Sequence, residues 1–123
     1  MKKRLLVSVV DDDESVRESL PDLIREMGFN ALAFNSAEAF LESGSVGRTK
    51  CLILDLKMPG MGGQALVSEL KRLGIDIPVV FITANQSSAI REQLLDDGAV
   101  ACLFKPFSDV ELSDALLKAV CER

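Results

Sequence analysis

The stretch that decides the fold is CLILDLKMPG at residues 51–60, in which four apolar residues lead directly into a carboxylate and then a loop containing Pro and Gly. An apolar run bounded by turn residues is typical of a strand buried on both faces of a parallel sheet. Ligands of open α/β sheets bind beyond the carboxyl ends of the strands. The pattern therefore predicts that Asp55 lies at the edge of a crevice where other polar groups can gather.

The composition is that of an ordinary globular domain. The chain has 123 residues, of which 48% are hydrophobic and 27% are charged. Its net charge of −5 argues against a nucleic-acid-binding surface on this segment. The absence of His removes the usual general base and the commonest nitrogen ligand for metals. Cys51, Cys102 and Cys121 show no metal-binding spacing, and we interpret them as reduced thiols of a cytosolic protein.

Neither a signal peptide nor a membrane span is predicted. Basic residues 2–4 followed by apolar residues 5–10 resemble the start of a signal peptide. That apolar run ends after six residues, which is too short for the apolar region of such a peptide. No other stretch is apolar enough to cross a bilayer. We therefore expect a cytoplasmic protein without membrane contact.

Segments with strand character alternate with segments of helical periodicity along the chain. Asn35 is predicted to cap the second helix, and Pro21 to kink the first helix without breaking it. Ser108 and Glu111 are predicted to form a capping box for the last helix. The predicted strands are residues 4–10, 29–34, 51–54, 79–82 and 100–104, and the predicted helices are residues 14–27, 35–41, 66–73, 90–95 and 108–120.

This alternation of five strands with five helices predicts an α/β fold. Parallel strands need crossover connections, and right-handed crossovers through helices cover both faces of the sheet. We expect a doubly wound five-stranded parallel sheet in the flavodoxin-like order 2-1-3-4-5, with helices on both faces. No repeat or internal linker interrupts the pattern, so residues 1–123 are expected to form a single domain.

Four of the five predicted strands end in a distinctive polar residue, and these residues are Asp11, Asp55, Thr83 and Lys105. Each has an ordinary interpretation by itself, because Asp and Thr often cap turns and Lys is usually a solvated charge. In the predicted strand order, however, all four face the same crevice. Their joint position indicates a functional site.

The carboxylates at this crevice favour a bound cation. Adjacent strands lie about 4.8 Å apart, so Asp11 or Asp12 is expected within several ångströms of Asp55. Two carboxylates about 5 Å apart repel by roughly 3 kcal/mol at an effective dielectric constant of about 20. The candidate ligands are all oxygen atoms, which favours Mg²⁺ over zinc. Lys105 is expected to neutralise the opposite side of the site.

A carboxylate beside Mg²⁺, a lysine and a hydroxyl is suited to accept a phosphoryl group. Asp55 would supply the attacking oxygen, while the metal and Lys105 disperse charge on the phosphoryl oxygens. The product would be an aspartyl phosphate. Thr83 could then donate its hydroxyl to a phosphate oxygen, so that its rotamer reports phosphorylation.

The segments that carry these groups resemble the receiver domain of two-component response regulators. They are VVDDDE at 9–14, LDLKMPG at 54–60, ITA at 82–84 and FKPF at 104–107, and the resemblance covers essentially the whole chain. It implies a phosphorylation-dependent switch, not an enzyme, that changes its fourth- and fifth-helix face to control an output. Since the chain has no His, the phosphohistidine must come from a sensor histidine kinase.

The resemblance also implies roles for individual residues. Asp55 is the implied phosphoacceptor, Thr83 the switch hydroxyl and Lys105 the phosphate partner, with the bond from Lys105 to Pro106 expected in the cis form. The implied Mg²⁺ ligands are Asp12, Asp55 and the backbone carbonyl of Lys57 directly, and Asp11 through water. Lys57 and Asn85 occupy the positions that tune autodephosphorylation in the family, and Asp13 is expected to contribute charge or capping.

One position departs from the family pattern. The family usually has a switch aromatic three residues before the lysine, and Cys102 occupies that place here. Phe104 and Phe107 lie nearby but not in the same register. Our hypothesis is that Thr83 still moves toward the phosphoryl group, and that the output is read through the fourth helix and the space that Cys102 leaves vacant.

Three alternatives remain at this point. A phosphoaspartyl hydrolase of the haloacid-dehalogenase type would use Asp11 as its nucleophile, but it needs a further acidic motif and leaves the motif at Asp55 unexplained. An FMN-binding module of the same fold needs a phosphate cradle after the first strand, where three acids would repel the phosphate. A receiver-like protein that binds partners without phosphorylation gains no specific support.

The output is only weakly indicated. Sequences at 16–20 and 36–41 resemble regulators that carry a helix-turn-helix DNA-binding domain, so a covalently linked output domain is possible. Any nucleic-acid contact would belong to that domain. Phosphorylation-linked homodimerisation through the fourth- and fifth-helix face is implied only by the resemblance.

Overall fold

The computed structural model describes residues 4–121, so residues 1–3 and 122–123 of the predicted domain lie outside the described part. Five strands alternate with five α-helices, and a 3₁₀ turn at Val46–Arg48 precedes the third strand. The elements are β1 Leu6–Val10, α1 Glu14–Glu26, β2 Asn30–Phe34, α2 Ala37–Glu42, β3 Thr49–Asp55, α3 Gly63–Arg72, β4 Val79–Thr83, α4 Ser88–Asp96, β5 Ala101–Phe104 and α5 Asp109–Cys121.

The strands form one parallel sheet in the order β2-β1-β3-β4-β5, which confirms the predicted topology. The pairing brings the carboxyl ends of the inner strands to one edge. Val10 pairs with Leu54, and one residue further along β3, Asp55 pairs with Ile82. The strand that carries Asp55, β3, is therefore hydrogen-bonded to a strand on each side, and the site is built on the interior of the sheet.

Two apolar layers cover the sheet, one on each face. One layer packs α1 and α5 against the sheet through Leu20, Ile24, Leu112 and Leu116. The other packs α2, α3 and α4 against the opposite face, with Phe40, Leu66 and Leu94 fully or almost fully buried. Burial of each such large side chain is worth about 1.5–3 kcal/mol, so these layers hold the strand ends in place.

Local signals placed most elements correctly, with one wrong cap. Ser36, not Asn35, caps α2, because the Ser36 hydroxyl oxygen accepts the Ala39 amide at 3.0 Å. The predicted capping box of α5 is confirmed, since Ser108 and Glu111 exchange hydrogen bonds of 3.1 Å. Pro21 is buried inside α1, and the helix continues through it as predicted.

A buried chain of hydroxyls explains why β1 contains a serine and why β3 begins earlier than predicted. The Ser8 and Thr49 hydroxyl oxygens lie 2.7 Å apart, and Thr49 donates to the Ser45 carbonyl at 2.9 Å. Ser8 must therefore donate to Thr49. Ser8 is fully buried, so this chain satisfies polar groups that would be costly to bury alone. It fixes the start of β3, at Thr49 instead of Cys51, against β1.

Within residues 4–121, no helix has the length and apolar character needed to span a bilayer.

Candidate functional site

The predicted site residues meet at the carboxyl end of the sheet. Carboxylate oxygens of Asp11, Asp12 and Asp55 lie within 4.8 Å of one another. The Lys105 ammonium lies 2.9 Å from Asp11 Oδ2 and 3.8 Å from Asp55 Oδ1. The sequence prediction of an acidic cluster faced by a lysine is confirmed in its geometry, with Lys105 closer to Asp11 than to Asp55.

Asp11 and Asp12 are neighbours in sequence but occupy different environments. Asp11 is fully buried, and its two carboxylate oxygens accept from the Asp13 amide at 2.9 Å and from Lys105 at 2.9 Å. Its backbone amide also donates to the Phe34 carbonyl. Asp12 is exposed, and its carboxylate lies beside that of Asp55. A cation entering from solvent therefore meets Asp12 more directly than Asp11.

Asp13 is the N-cap of α1, so its carboxylate has a capping role in addition to the effect of its charge on Lys105. Its carboxylate accepts the Ser15 amide at 2.9 Å, and its carbonyl begins the helix. A capping carboxylate satisfies an amide that has no partner within the helix. The cap starts α1 directly after the acidic pair, so the turn that holds Asp11 and Asp12 has a fixed geometry.

The surroundings of Asp55 favour its protonated form when no cation is bound. Burial, followed by the negative charge of Asp11, raises the pKa of Asp55 to about 7, although Lys105 acts in the opposite direction and Asp12 adds to the rise. An incoming cation would remove much of this penalty, because it stabilises the carboxylate form. The ionisation of Asp55 therefore depends on charge compensation by a cation.

Lys105 remains charged despite partial burial. Burial by itself would lower the pKa of Lys105, but the hydrogen bond and charge of Asp11, together with the charges of Asp55 and Asp13, outweigh it and raise the pKa. The peptide bond between Lys105 and Pro106 is cis, as the resemblance implied. The ammonium thus stands as a fixed positive group beside Asp55.

Thr83 lies at the carboxyl end of β4, the strand next to the one that carries Asp55. Its side chain is almost fully buried, and its hydroxyl oxygen accepts the Asn85 amide at 3.0 Å. The Thr83 carbonyl accepts the Lys105 amide at 2.8 Å, which ties the ends of β4 and β5 together. The hydroxyl hydrogen of Thr83 is not used by the Asn85 contact.

Three contacts around the site have no simple signal in the sequence. Arg17 of α1 donates to the Asp11 carbonyl at 3.0 Å. Glu38 of α2 accepts the Met61 amide at 3.3 Å and so touches the loop that follows Asp55. A Cβ on Gly63 would lie 2.6 Å from the Asp55 carbonyl oxygen. Only the paired glycines at 62–63 could have suggested a close approach of the backbone, since the other two contacts cross between elements.

Lys57 is exposed in the loop between β3 and α3, and Asn85 is half-buried after β4. The structure places both residues next to the site, on the loops that leave Asp55 and Thr83. Their predicted influence on dephosphorylation stays a prediction.

Cys102 is buried, with 1% of its surface exposed, and packs in the layer under α4. Burial raises the pKa of its thiol, against a smaller opposite effect of the nearby Arg91 charge. Burial also raises the pKa of Cys51 to about 12, whereas Cys121 is exposed. All three thiols are free, as predicted.

The donor set fits a small hard cation. Its three side chains offer carboxylate oxygens only, within a span that one ion can bridge, and the chain has no His to add nitrogen. Mg²⁺ prefers such oxygen ligands and keeps several waters. The acidic pocket can therefore hold a divalent metal ion, with the exposed face of Asp12 toward solvent.

The hydrolase alternative is not supported by this geometry. It requires Asp11 as the attacking carboxylate, yet Asp11 is fully buried and both of its oxygens accept hydrogen bonds. Asp55, in contrast, keeps 10% of its side-chain surface exposed, and its Oδ1 lies 3.8 Å from the Lys105 ammonium. The fold and the site together define a class of protein: a flavodoxin-like sheet whose candidate group-accepting residue is an aspartate at the switch point.

The chain belongs to the response regulator receiver domain family, whose profile matches residues 7–117. It is 42% identical over 116 residues to nodulation protein W of Bradyrhizobium diazoefficiens, an alignment that covers 94% of this chain and 51% of that protein. Receiver domains are the phosphoacceptor modules of two-component signalling, so the chain is a receiver-type signalling switch, and the hydrolase alternative is not favoured.

Solved structures agree with the assignment. The response regulator StyR matches with a TM-score of 0.87 and 39% identity, covering 98% of this chain and 61% of that one. The FixJ-N structure matches with a TM-score of 0.85 and 34% identity over all of this chain and 98% of that one. The chain spans about half the length of the curated relatives it matches.

Proposed function

We propose that Asp55 is the phosphoacceptor of this receiver domain and that its phosphorylation depends on Mg²⁺. The observation that carries the proposal is the meeting of three carboxylates within 4.8 Å, with Lys105 3.8 Å from Asp55. Within that cluster, Asp55 combines partial exposure with freedom from a short hydrogen bond to Lys105. It is the carboxylate best placed to attack an incoming phosphorus atom.

The carboxylate cluster and the resemblance to receiver domains together support a set of metal ligands. Asp12 and Asp55 would bind Mg²⁺ directly, and the backbone carbonyl of Lys57, which only the resemblance implies, would complete the protein ligands. Asp11 would act through water, because its own oxygens already accept from Lys105 and the Asp13 amide. When bound, the metal supplies positive charge to the carboxylate and to the phosphoryl oxygens.

The chain's own residues would carry out the transfer. An Asp55 oxygen attacks the phosphorus of a phosphohistidine on a sensor kinase, the bond between phosphorus and nitrogen breaks, and the imidazole leaves with its electron pair. Lys105 turns its ammonium from Asp11 toward the new phosphoryl oxygens. Thr83 donates its hydroxyl hydrogen to one of those oxygens. Fixed positive groups and donors of this kind stabilise the charge that develops in phosphoryl transfer.

The test is direct labelling. The chain is incubated with Mg²⁺ and acetyl phosphate, and the labelled residue is mapped by mass spectrometry. Label on Asp55 that is lost in Asp55→Asn, and lost on chelation in the unchanged chain, supports the proposal. Asp22→Asn is the matched control, because Asp22 is an exposed acid of α1 remote from the cluster. Label on Asp11 instead, or no label on Asp55, contradicts it.

The wider setting is part of the same proposal. Residues 1–123 act as one receiver domain in the cytoplasm, and a separate sensor histidine kinase is the phosphoryl donor. The domain assists its own phosphorylation and dephosphorylation without being an enzyme in the usual sense. A linked output domain that binds DNA would receive the signal; the relatives of this chain include the transcriptional regulatory protein FixJ of Rhizobium meliloti. Phosphorylation promotes homodimerisation through the face formed by α4 and α5.

A further inference from the structure

Phe104 lies beside Thr83 in the sheet. The two residues are paired in the parallel register of β4 and β5, so their side chains extend from the same face. That face is the one packed by α3 and α4, because Phe81 and Cys102, two pairs earlier and therefore on the same face, belong to that layer. Phe104 is half-buried and packs against the same layer. A change in the Thr83 rotamer therefore alters the packing surface of the Phe104 ring.

Phe104 is also the chain neighbour of Lys105, so a displacement of the Lys105 backbone would displace Phe104 as well. The Lys105 amide donates to the Thr83 carbonyl at 2.8 Å, so the backbone around Phe104 is held to the end of β4. The Lys105 ammonium contacts Asp11 at 2.9 Å and Asp55 at 3.8 Å. A phosphoryl group on Asp55 that drew Lys105 away from Asp11 would pull on the residue next to Phe104. Both groups that sense the phosphoryl oxygens thus act on one ring.

On its outer side the Phe104 ring contacts α4. The Arg91 guanidinium lies over it, with the central carbon 5.1 Å from the ring centroid. Arg91 is in the first half of α4 and is exposed, so it can follow the ring without a large rearrangement of the core. Attraction between a guanidinium and an aromatic face depends on their distance and orientation. It couples the position of the ring to the position of α4.

Cys102 is poorly suited to couple a change at Thr83 to the position of α4. Its short side chain is 1% exposed and already packed beneath α4, so it has no ring to move between two positions. Arg91 lies close enough to influence the Cys102 thiol, yet its ring contact is with Phe104, two residues further along the strand.

We propose that Phe104 and Arg91 together transmit the state of Thr83 to α4, in place of an aromatic residue at position 102. Phe104 is the sensor, and Arg91 is the positioning residue that joins it to the helix. The inference rests on the proposed phosphorylation of Asp55. It adds to that proposal the two residues through which the signal leaves the site.

The experiment separates labelling from transmission. The 123-residue chain and the variants Phe104→Leu and Arg91→Gln are treated with Mg²⁺ and acetyl phosphate, and label on Asp55 is quantified by mass spectrometry. Hydrogen exchange of the α4 amides is then measured with and without the phosphoryl donor. In the unchanged chain we expect phosphorylation to shift exchange in α4 by about fivefold or more. In both variants we expect labelling within about twofold of the unchanged chain and little response of α4.

Matched controls exclude a general effect of substitution. Phe107→Leu removes a ring that packs against the opposite layer of the sheet, and Glu92→Gln changes the charge at the exposed residue next to Arg91. Both controls should keep the full response of α4. Arg91→Lys keeps the charge but not the planar group, and a partial response is expected from it.

Each outcome decides the inference. Normal labelling with a lost α4 response in Phe104→Leu and Arg91→Gln, and a full response in both controls, supports it. Normal labelling with a full α4 response in Arg91→Gln overturns it while leaving the proposed function intact. An unchanged chain that takes no label on Asp55 overturns both proposals, and the absence of label distinguishes this case from the previous one. Since Arg91 is exposed, its replacement tests the coupling even if Phe104→Leu impairs folding.

Discussion

The three aspartates of this site have the same side chain but different surroundings. Asp11 is buried and held by Lys105, Asp12 is exposed, and Asp55 lies between these extremes at the end of β3. Burial and the charge of Asp11 raise the pKa of Asp55 to about 7. Without a cation, the folded protein therefore disfavours the carboxylate form of Asp55 relative to the unfolded chain.

This pKa predicts a dependence of stability on pH in the metal-free protein. Its folded value of about 7 exceeds the unfolded value of 3.8, so between about pH 4 and 7 the folded chain holds the proton more tightly. The Asp55 contribution to the free energy of unfolding is therefore present at low pH and falls as pH rises through this window. Replacing Asp55 by Asn removes this pH-dependent contribution to the free energy of unfolding.

We expect Asp55→Asn to be more stable than the unchanged chain by about 1–2 kcal/mol at pH 8 in the presence of chelator. The difference should shrink toward pH 4, where both folded and unfolded forms of Asp55 become protonated. Urea unfolding at several pH values measures it. A difference that stays constant from pH 4 to 8 would show that the Asp55 carboxyl is not destabilised by its surroundings.

At the scale of elements, the start of α3 is pressed against the end of β3. The Gly63 amide donates to the Leu56 carbonyl at 3.1 Å, and the α-carbon of Gly63 faces the Asp55 carbonyl. An added Cβ would lie 2.6 Å from that oxygen and 3.0 Å from Phe81 Cε1. Neither atom can move freely, because one is backbone and the other belongs to a buried ring.

Gly63→Ala is therefore expected to displace the end of β3 and to lower stability by about 1–3 kcal/mol. It should also slow labelling of Asp55 by acetyl phosphate, because the carboxylate moves relative to Lys105. Gly47→Ala is the matched control, since a Cβ there meets nothing within 4 Å. Thermal unfolding together with labelling rates provides the measurement, and equal behaviour of the two variants would argue against a close contact at Gly63.

The buried hydrogen-bonded chain of Ser8, Thr49 and the Ser45 carbonyl is a second feature that joins structural elements. Thr49→Val removes the partner of the Ser8 hydroxyl and the donor to the Ser45 carbonyl. Leaving buried polar groups without partners costs about 1–3 kcal/mol. The added change Ser8→Ala should recover part of that loss, because it removes the unsatisfied hydroxyl.

Denaturant unfolding of the two single variants and the double variant forms the required cycle. Ser19→Ala serves as control, since Ser19 donates to the Ser15 carbonyl on an exposed helix surface. Strictly additive losses at Ser8 and Thr49 would mean that the two hydroxyls do not act as one chain.

At the scale of the whole molecule, the acidic cluster couples folding to cation binding. Two of its carboxylates, Asp11 and Asp12, directly follow β1, and the third, Asp55, ends β3, so the full ligand set exists only when β1 and β3 are paired. A ligand that binds only the folded chain stabilises it by about 2.7 kcal/mol at a concentration 100 times its dissociation constant.

Mg²⁺ is therefore expected to raise the midpoint of thermal unfolding, and chelator to reverse the rise. Asp12→Asn should reduce this effect strongly, because Asp12 is the exposed carboxylate of the cluster. Asp96→Asn, at the exposed end of α4, should keep it. Equal responses of the two variants to Mg²⁺ would place the ion elsewhere.

Periodicity and strand-end residues were sufficient to predict the fold and the principal members of the site. A buried apolar run such as 51–54 can serve only as an inner strand, and strands that alternate with helices must run parallel. Parallel strands bring their carboxyl ends to one edge, so Asp11, Asp55, Thr83 and Lys105 had to meet there. The sequence alone therefore determined the topology, the acidic cluster and its lysine.

The contacts between elements could be decided only by the tertiary structure. The wrong cap at Asn35 and the early start of β3 at Thr49 both depend on hydroxyl positions that sequence spacing does not specify. The closer approach of Lys105 to Asp11 than to Asp55, and the stacking of Arg91 on Phe104, join residues on different elements. Such contacts arise from the relative placement of packed layers, because local periodicity fixes which face a residue occupies but not which side chain it meets there.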